Sequence, residues 1–535
     1  MTVSTSPPGA TGPERVADPH GQRSQPHLPV PPTDAEKELY ADRNVALINR
    51  TSLVSFGALL VGQIGFVLIS PDLLALAPLI AVTLVYFTIS MISNLGARGF
   101  DLAAHRRLTG QWRPQEYPSL DVFLPVCGEP IAVLRNTWVH VARLLAAYPG
   151  AATGYVLDDG DSAQARELAG SVGLRYAVRP DRGRLKRAGN LQYGLGQSTG
   201  EFILVLDADF APRADLPAEL IPYLSADPTL GIVQSPQYFH TQGRMSWIER
   251  GAGAVQELFY RLVQVSRDRH DGAICVGSCA VYRRTALAAN RSMTLIEHSE
   301  DVHTGFDLRQ AGWGLRYVPI PLATGLCPPD PDSFLAQQYR WCAGSMSLLG
   351  SRKFWSAPMR ARTRFCYLSG FLYYVHTALL TFATPVIPLV MLVLLPDRVR
   401  LLNYVFILPS IVYNLVVFPA WHHGRFGPSA FMAKLLYGWA HLFALWDIAR
   451  GRRLGWQPTA GPRRKSKTRR IWTGIALWNG STSAAWVLLA LYRTLTDSTS
   501  FGVLLVAGLM SAAVTIMALL SRGNYAMVEA ERGAA

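Results

Sequence analysis

Residues 202–209 read Phe202-Ile203-Leu204-Val205-Leu206-Asp207-Ala208-Asp209, an unbroken apolar run that ends in two carboxylates one residue apart. A short run of this kind, with no polar residue until its end, predicts a strand buried on both faces. Comparable apolar runs occur twice upstream, at Val122-Phe123-Leu124-Pro125-Val126, which ends in the turn Cys127-Gly128-Glu129, and at Gly154-Tyr155-Val156-Leu157, followed by Asp158-Asp159-Gly160. Helical patterns at 131–147 and 163–172 flank the second strand. Alternating strands and helices predict an α/β domain with a mostly parallel sheet. Ligands bind such sheets at the carboxyl ends of the strands, where this sequence places its carboxylates.

Outward from that region the chain turns apolar. Of 535 residues, 50% are hydrophobic and only 16% charged, which is apolar for a soluble protein. A helix needs about 20 apolar residues to cross a bilayer, and six runs qualify: 53–69, 74–92, 367–395, 402–420, 471–492 and 501–520. The long run 367–395 reads as one tilted helix kinked at Pro385 and Pro388, because a hairpin would put the basic 421–470 loop outside.

The net charge of +14 gathers beside the apolar runs, at Arg450, Arg452 and Arg453 and from Arg463 to Arg470. Cations placed there mark the cytoplasmic side and meet anionic lipid heads; they do not indicate nucleic acid. The expected organisation is a disordered cytoplasmic tail (1–46), two spans (47–95), a cytosolic domain (96–363), two spans (364–420), an interface helix with a basic loop (421–470), two spans (471–521) and a short cytoplasmic tail (522–535). Within 421–470, the helical spacing of Phe431, Leu435, Leu436, Trp439, Leu442 and Phe443 predicts a helix lying in the membrane interface. Cys127, Cys275, Cys279, Cys327, Cys342 and Cys366 form no CxxC pair and read as reduced thiols.

Four motifs carry chemistry. Asp158-Asp159-Gly160 and Asp207-Ala208-Asp209 offer hard oxygen ligands suited to Mg2+ or Mn2+ shared with phosphate. Acidic residues are equally at home in turns and at helix starts. His298-Ser299-Glu300-Asp301 precedes a helical stretch, so Ser299 is also expected to cap it, and a carboxylate there should be a weak base unless a bound acceptor desolvates it. Gln337-Gln338-Tyr339-Arg340-Trp341 combines a guanidinium fork with a flat indole on an amphipathic helix near 335–350, which suits either ligand binding or membrane anchoring.

The order of these motifs, Asp-Asp-Gly, D-x-D, S/T-E-D and Q-x-x-R-W between apolar runs, resembles the processive family 2 glycosyltransferases, above all their cellulose synthase-like branch. Pro125-Val126-Cys127-Gly128-Glu129-Pro130 is similar to that family's P-x-x-x-E-P turn, and Lys186-Arg187-Ala188-Gly189-Asn190 to its K-A-G-N segment, with Arg187 at the usual lysine. Val233-Gln234-Ser235-Pro236-Gln237, Val276-Gly277-Ser278-Cys279 and Trp456-Gln457-Pro458-Thr459 resemble its V-Q-T-P, F-C-G-S and gating-loop segments.

The resemblance implies a GT-A-type, Rossmann-like α/β glycosyltransferase domain inserted between transmembrane helices. It further implies Asp301 as general base, with Asp209 and Asp207 holding the metal. Glu129, Asp158, Arg187 (or Lys186), Asn190, Asp207, Ser278, Glu300, Gln337, Arg340, Trp341 and Thr459 would contact substrate. The implied product is a β-linked glucan made processively from UDP-glucose, β-1,4 and cellulose-like, extruded through the enzyme's own channel. The same framework serves β-1,3-glucan, chitin- or hyaluronan-like polymers, or a non-processive transferase. Partners implied are the UDP-sugar, the growing polysaccharide, membrane lipids and separate export or trimming proteins. No R-x-x-x-R followed by D/N-x-S-x-x-G lies beyond Leu520, so no cyclic di-GMP-binding PilZ domain is expected there.

Overall fold

The computed structural model describes residues 28–534 except 42–44, 70–73, 75–76, 95–98, 241–244, 291, 425 and 453–467, and side chains as far as residue 522. The central region contains nine strands: β1 Leu120–Val126, β2 Ala152–Asp158, β3 Arg175–Ala177, β4 Phe202–Val205, β5 Phe210–Pro212, β6 Leu230–Gln234, β7 Ala280–Arg283, β8 Gly314–Tyr317 and β9 Ala323–Gly325. Seven form one sheet in the order β3-β2-β1-β4-β7-β6-β8, while β5 and β9 pair separately. Val122, Phe123 and Leu124 are all fully buried. Successive side chains point to opposite faces, so both faces of the sheet are covered. Helix Ile131–Ala147 supplies part of that cover, with Trp138 wholly enclosed.

The sheet is mixed: β7 runs antiparallel to both β4 and β6, and the other pairs are parallel. The register pairs Val126 with Asp158 and Phe123 with Val205. The carboxyl ends of β1, β2 and β4 therefore finish level, which brings the turn 127–130, Asp158 and the segment 207–209 to one edge.

Among the described residues, five helices are long and apolar enough to cross a membrane: Ala46–Ile69, Ala77–Asn94, Ala361–Val393, Arg469–Thr496 and Thr499–Arg522. Ala361–Val393 is a single path that bends at Thr384-Pro385 between helical parts Ala361–Ala383 and Val386–Val393. The sixth expected span differs. Residues 401–406 form a 3-10 segment and Pro409 sits in the first turn of the helix that follows, so the apolar helix is only Leu408–Trp421. It falls short of the roughly 20 residues that a crossing needs. Helix Ser429–Ala449 packs one face, with Ala433, Leu436, Trp439, Ala440 and Ala444, into the core shared with helix Pro331–Leu349.

The expected disordered tail is corrected over 28–41, which lies as an ordered strap on the α/β domain. Thr33 and Glu36 form a capping box around the short helix Asp34–Lys37. Lys37 reaches Asp215 at 2.8 Å and also Glu219, Asp34 meets Arg213 at 2.7 Å, and Glu36 meets His240. Tyr40 is buried edge-on against Tyr238, ring centres 5.6 Å apart. These partners lie far along the chain, so local composition reads as disorder while tertiary contacts offset the ordering entropy.

Tyr40→Ala should therefore destabilise the α/β domain by about 3 kcal/mol, seen as a lower apparent unfolding temperature of the detergent-solubilised protein. Glu38→Ala, which breaks only the exposed pair with Arg106, should stay within about 0.5 kcal/mol.

Candidate active site

At the end of β2 the two aspartates of Asp158-Asp159-Gly160 part ways. Asp158 is fully buried and its carboxylate accepts from Gly160 N at 2.6 Å, Ser162 N at 3.0 Å and the Tyr176 hydroxyl at 2.6 Å. Thus fixed, it borders a cavity of about 290 Å³ lined also by Glu129, Pro130, Ile131, Leu134 and Gln164. Asp159 is bound by Arg179 through two bonds of 2.6 and 2.7 Å, so its charge is already matched.

Two residues expected at the substrate lie beneath the site. Asn190 is enclosed on helix Lys186–Gln197, and its amide donates to the Leu157 carbonyl at 2.6 Å, pinning that helix to β2. Ser278 is enclosed as well, its hydroxyl accepting from Asp207 N at 3.0 Å.

Arg187 occupies the centre. Its guanidinium donates to Asp207 at 2.8 Å, Glu300 at 2.5 Å and the Gly277 carbonyl at 2.7 Å. Gly277 has φ +79°, and a Cβ there would stand 2.8 Å from both Arg187 Nη1 and Asp301 Oδ2. Only a residue without a side chain leaves room for both the guanidinium and the Asp301 carboxylate over this turn.

Asp301 lies in the first turn of helix Glu300–Gln310. Ser299 does not cap that helix as expected: it adopts φ +55° and makes no capping bond, because its hydroxyl turns toward Gly344 of helix Pro331–Leu349. Nor is Asp301 a weak base awaiting an acceptor. Burial pushes its carboxyl up to about 7; Glu300 adds to the rise, while Arg187 and the Val302 N–H oppose it. Desolvation thus outweighs the helix N-terminus.

The remaining carboxylates repel one another. Burial, with Asp207 and Glu129 alongside, pushes Asp209 up to about 8, and burial raises Glu129 too. Among the described residues no group of three His, Cys, Asp or Glu converges as a ready-made metal cage. Buried oxygen donors in mutual repulsion nevertheless fit a hard divalent cation whose remaining ligands come from a bound phosphate. Gln337, Arg340 and Trp341 stand half-buried on helix Pro331–Leu349, and burial pulls Arg340 down to about 10. Thr459 lies outside the described residues.

Sequence reasoning missed Arg179 and Tyr176, which reach the Asp158-Asp159 turn from segments without a motif. It also missed what Gly277 does; a glycine directly before a buried serine was the available signal.

Residues 202–417 match the family described as Glycosyl transferase family group 2. The UDP-forming cellulose synthase 1 catalytic subunit of Komagataeibacter xylinus is 30% identical over 261 residues, 48% of this chain and 35% of that protein. The UDP-forming cellulose synthase catalytic subunit of Xanthomonas axonopodis pv. citri is 30% identical over 264 residues, 49% of this chain and 36% of the relative. The chain thus spans about a third of the length of these curated relatives. A Pyrobaculum calidifontis mannosyltransferase, solved in complex with GDP-Man and Mn2+, covers 69% of this chain and 99% of its own at 16% identity and a TM-score of 0.46.

Gly277→Ala should strain the left-handed turn by about 1–2 kcal/mol and push Arg187 from Asp301. A drop of roughly 2–8 °C in apparent Tm is expected by differential scanning fluorimetry.

Proposed function

We propose that this membrane protein, whose cytosolic-type α/β domain is a cellulose synthase-like family 2 glycosyltransferase, polymerises a UDP-sugar into a β-linked glycan by an inverting, processive reaction. The carrying observation is Asp301, a carboxylate raised to about 7, which lies between the Arg187 cluster and the helix bearing Gln337, Arg340 and Trp341.

In this reading the uridine enters the cavity beside Asp158, with Gln164 and Ser162 at its polar wall and Ile131 and Leu134 at its apolar one. Asp207 and Asp209, with Glu129 near them, face the diphosphate. Asp209 and Asp207 would hold a Mg2+ or Mn2+ ion, which would supply electrostatic stabilisation of the leaving diphosphate. Arg187 reaches the phosphate by exchanging one of its three acceptors, with Lys186 next to it in the chain. Arg340 matches the charge that develops on the leaving pyrophosphate as the bond to the sugar breaks.

Gln337 and Trp341 hold the acceptor end, the indole face against a sugar ring. Asp301 removes the proton of the acceptor hydroxyl as it attacks the anomeric carbon, and Glu300 keeps Arg187 beside the base. A single in-line displacement converts an α-linked donor into a β-linked product. A carboxylate near 7 suits this task because it is largely ionised just above neutrality yet basic enough to take the proton.

UDP-glucose and a β-1,4 product are the donor and linkage we favour. The cellulose synthase relatives, at 30% identity, support them. The helices long enough to cross a membrane form the path for the growing chain, in a cell membrane with the catalytic domain on its cytoplasmic side, as the flanking cations support. Thr459 would cover the bound nucleotide from the basic loop. Export or trimming proteins would receive the polymer.

Purified protein in lipid discs, supplied with a panel of UDP-sugars and Mg2+ or Mn2+, should form polymer from one of them; a product of one or two sugars would sink processivity. Chelation should abolish UDP release, and added divalent cation should restore it. Asp301→Asn should lower synthesis by ~10²-fold or more while donor binding persists. The base is lost on protonation, so kcat/KM should fall tenfold per pH unit below about 7 in the wild type, and full synthesis by Asp301→Asn would exclude Asp301 as base.

A further inference from the structure

Helix Pro331–Leu349 has two working sides. Gln337 and Trp341 are four residues apart, and Gly344 follows three later, so these share one side of a 3.6-residue helix. That side meets the base-bearing helix twice. Gly344 admits the Ser299 hydroxyl, which a Cβ at 344 would displace, and the His303 ring lies 2.9 Å from the Ser347 hydroxyl one turn on.

Asp332 and Tyr339 are seven residues apart, about two turns, and so occupy a different side. Both are tied to elements of the membrane part. The Tyr339 hydroxyl donates to Asp447 at 2.8 Å. Asp447, on helix Ser429–Ala449, is only 1% exposed. Arg470 closes on the same carboxylate with one bond of 2.8 Å and a second, shorter one. Asp332 in turn accepts from Trp472 Nε1 at 2.7 Å and from Thr468. Thr468 precedes, and Arg470 and Trp472 belong to, helix Arg469–Gly474, which begins the candidate span Arg469–Thr496.

A buried carboxylate that gathers a bidentate guanidinium and a phenol is a costly way merely to join two helices, since an apolar contact would do as well or better. Its geometry offers direction instead: the Tyr339 bond, together with the two that Asp332 accepts, fixes the rotation of the acceptor helix about its axis, and that rotation decides how Gln337 and Trp341 are presented toward the base-bearing helix.

We propose that Asp447, with Tyr339 and Arg470, is a positioning device that locks the acceptor helix against the base-bearing helix and so sets how many sugars are added before the polymer departs. The inference rests on the processive reading above. Asp447 touches neither donor nor acceptor; it acts through Tyr339 and the helix. Losing the lock lets the acceptor end leave sooner between turnovers and leaves the donor pocket, on the far side of Asp301, as it was.

The test uses the full chain in lipid discs with UDP-glucose and Mg2+ or Mn2+, comparing wild type with Tyr339→Phe, Asp447→Asn and Arg470→Lys. Tyr339→Phe removes one hydroxyl, and mean product length should fall about fivefold, the equilibrium factor of one net hydrogen bond. Donor KM should stay within about twofold. Asp447→Asn should shorten the product at least as much, while Arg470→Lys, which keeps the charge, should recover part of the length. If Asp447→Asn does not yield a monodisperse protein, Tyr339→Phe decides alone. Unchanged product length in Tyr339→Phe, or donor KM rising in step with the shortening, would overturn the proposal. A wild-type product of one or two sugars would instead overturn the processive reading and this inference with it.

Discussion

One guanidinium, that of Arg187, answers the carboxylates that separate chain segments bring to the same edge of the sheet. It bonds Asp207 from the end of β4 and Glu300 from a helix start some hundred residues on. Asp209, Glu129 and Asp301 stay without such a partner, and all three have raised carboxyl pKa values. Burying like charges is tolerable only where something else supplies the missing compensation. In the reaction proposed above, that role would fall to a bound diphosphate and its cation. The backbone around the cluster is strained to match: Leu185, Lys186, Gly277, Cys279 and Ser299 all have positive φ. Strain of this kind persists when surrounding packing over-determines it, and enclosed Asn190 and Ser278 supply such packing from below.

The parallel half of the sheet was legible because buried strands write themselves as unbroken apolar runs, and β1, β2 and β4 all do. The antiparallel insertion of β7 was not. Ala280–Arg283 is four residues long, too short for a period, and its direction is set by pairing with β4 and β6 rather than by its own side chains. Hydropathy found the apolar helices but read 402–420 as one unbroken helix. It sums composition over 402–420 and does not register that Pro409 marks where a new helix starts. The strap was invisible for a related reason: Lys37, Glu36 and Tyr40 look polar and unstructured until Asp215, His240 and Tyr238 are placed beside them.

At the site, residue type was readable and orientation was not. Carboxylates at strand ends announced themselves, yet nothing local told Asp158 from Asp159, one facing a cavity and the other spent on Arg179. Ser299 looked like a helix cap, and the helix N-terminus it would close should have held the pKa of Asp301 low. The close approach of Gly344 turned it away, and burial raised Asp301 instead. The glycines at 277 and 344 are thus as decisive for the chemistry as the charged groups they admit.

The strap also bears on how the chain is made. Lys37 finds Asp215 across 178 positions, and Glu36 finds His240 across 204. At synthesis rates of about 5–20 residues per second, Glu36 and Lys37 wait roughly 10–40 s for their partners to exist. The helix that begins at Val45 can enter the bilayer well before then. The α/β domain can therefore be assembled on a chain already moored at the membrane, and the strap, made long before its partners, is among the last segments to dock.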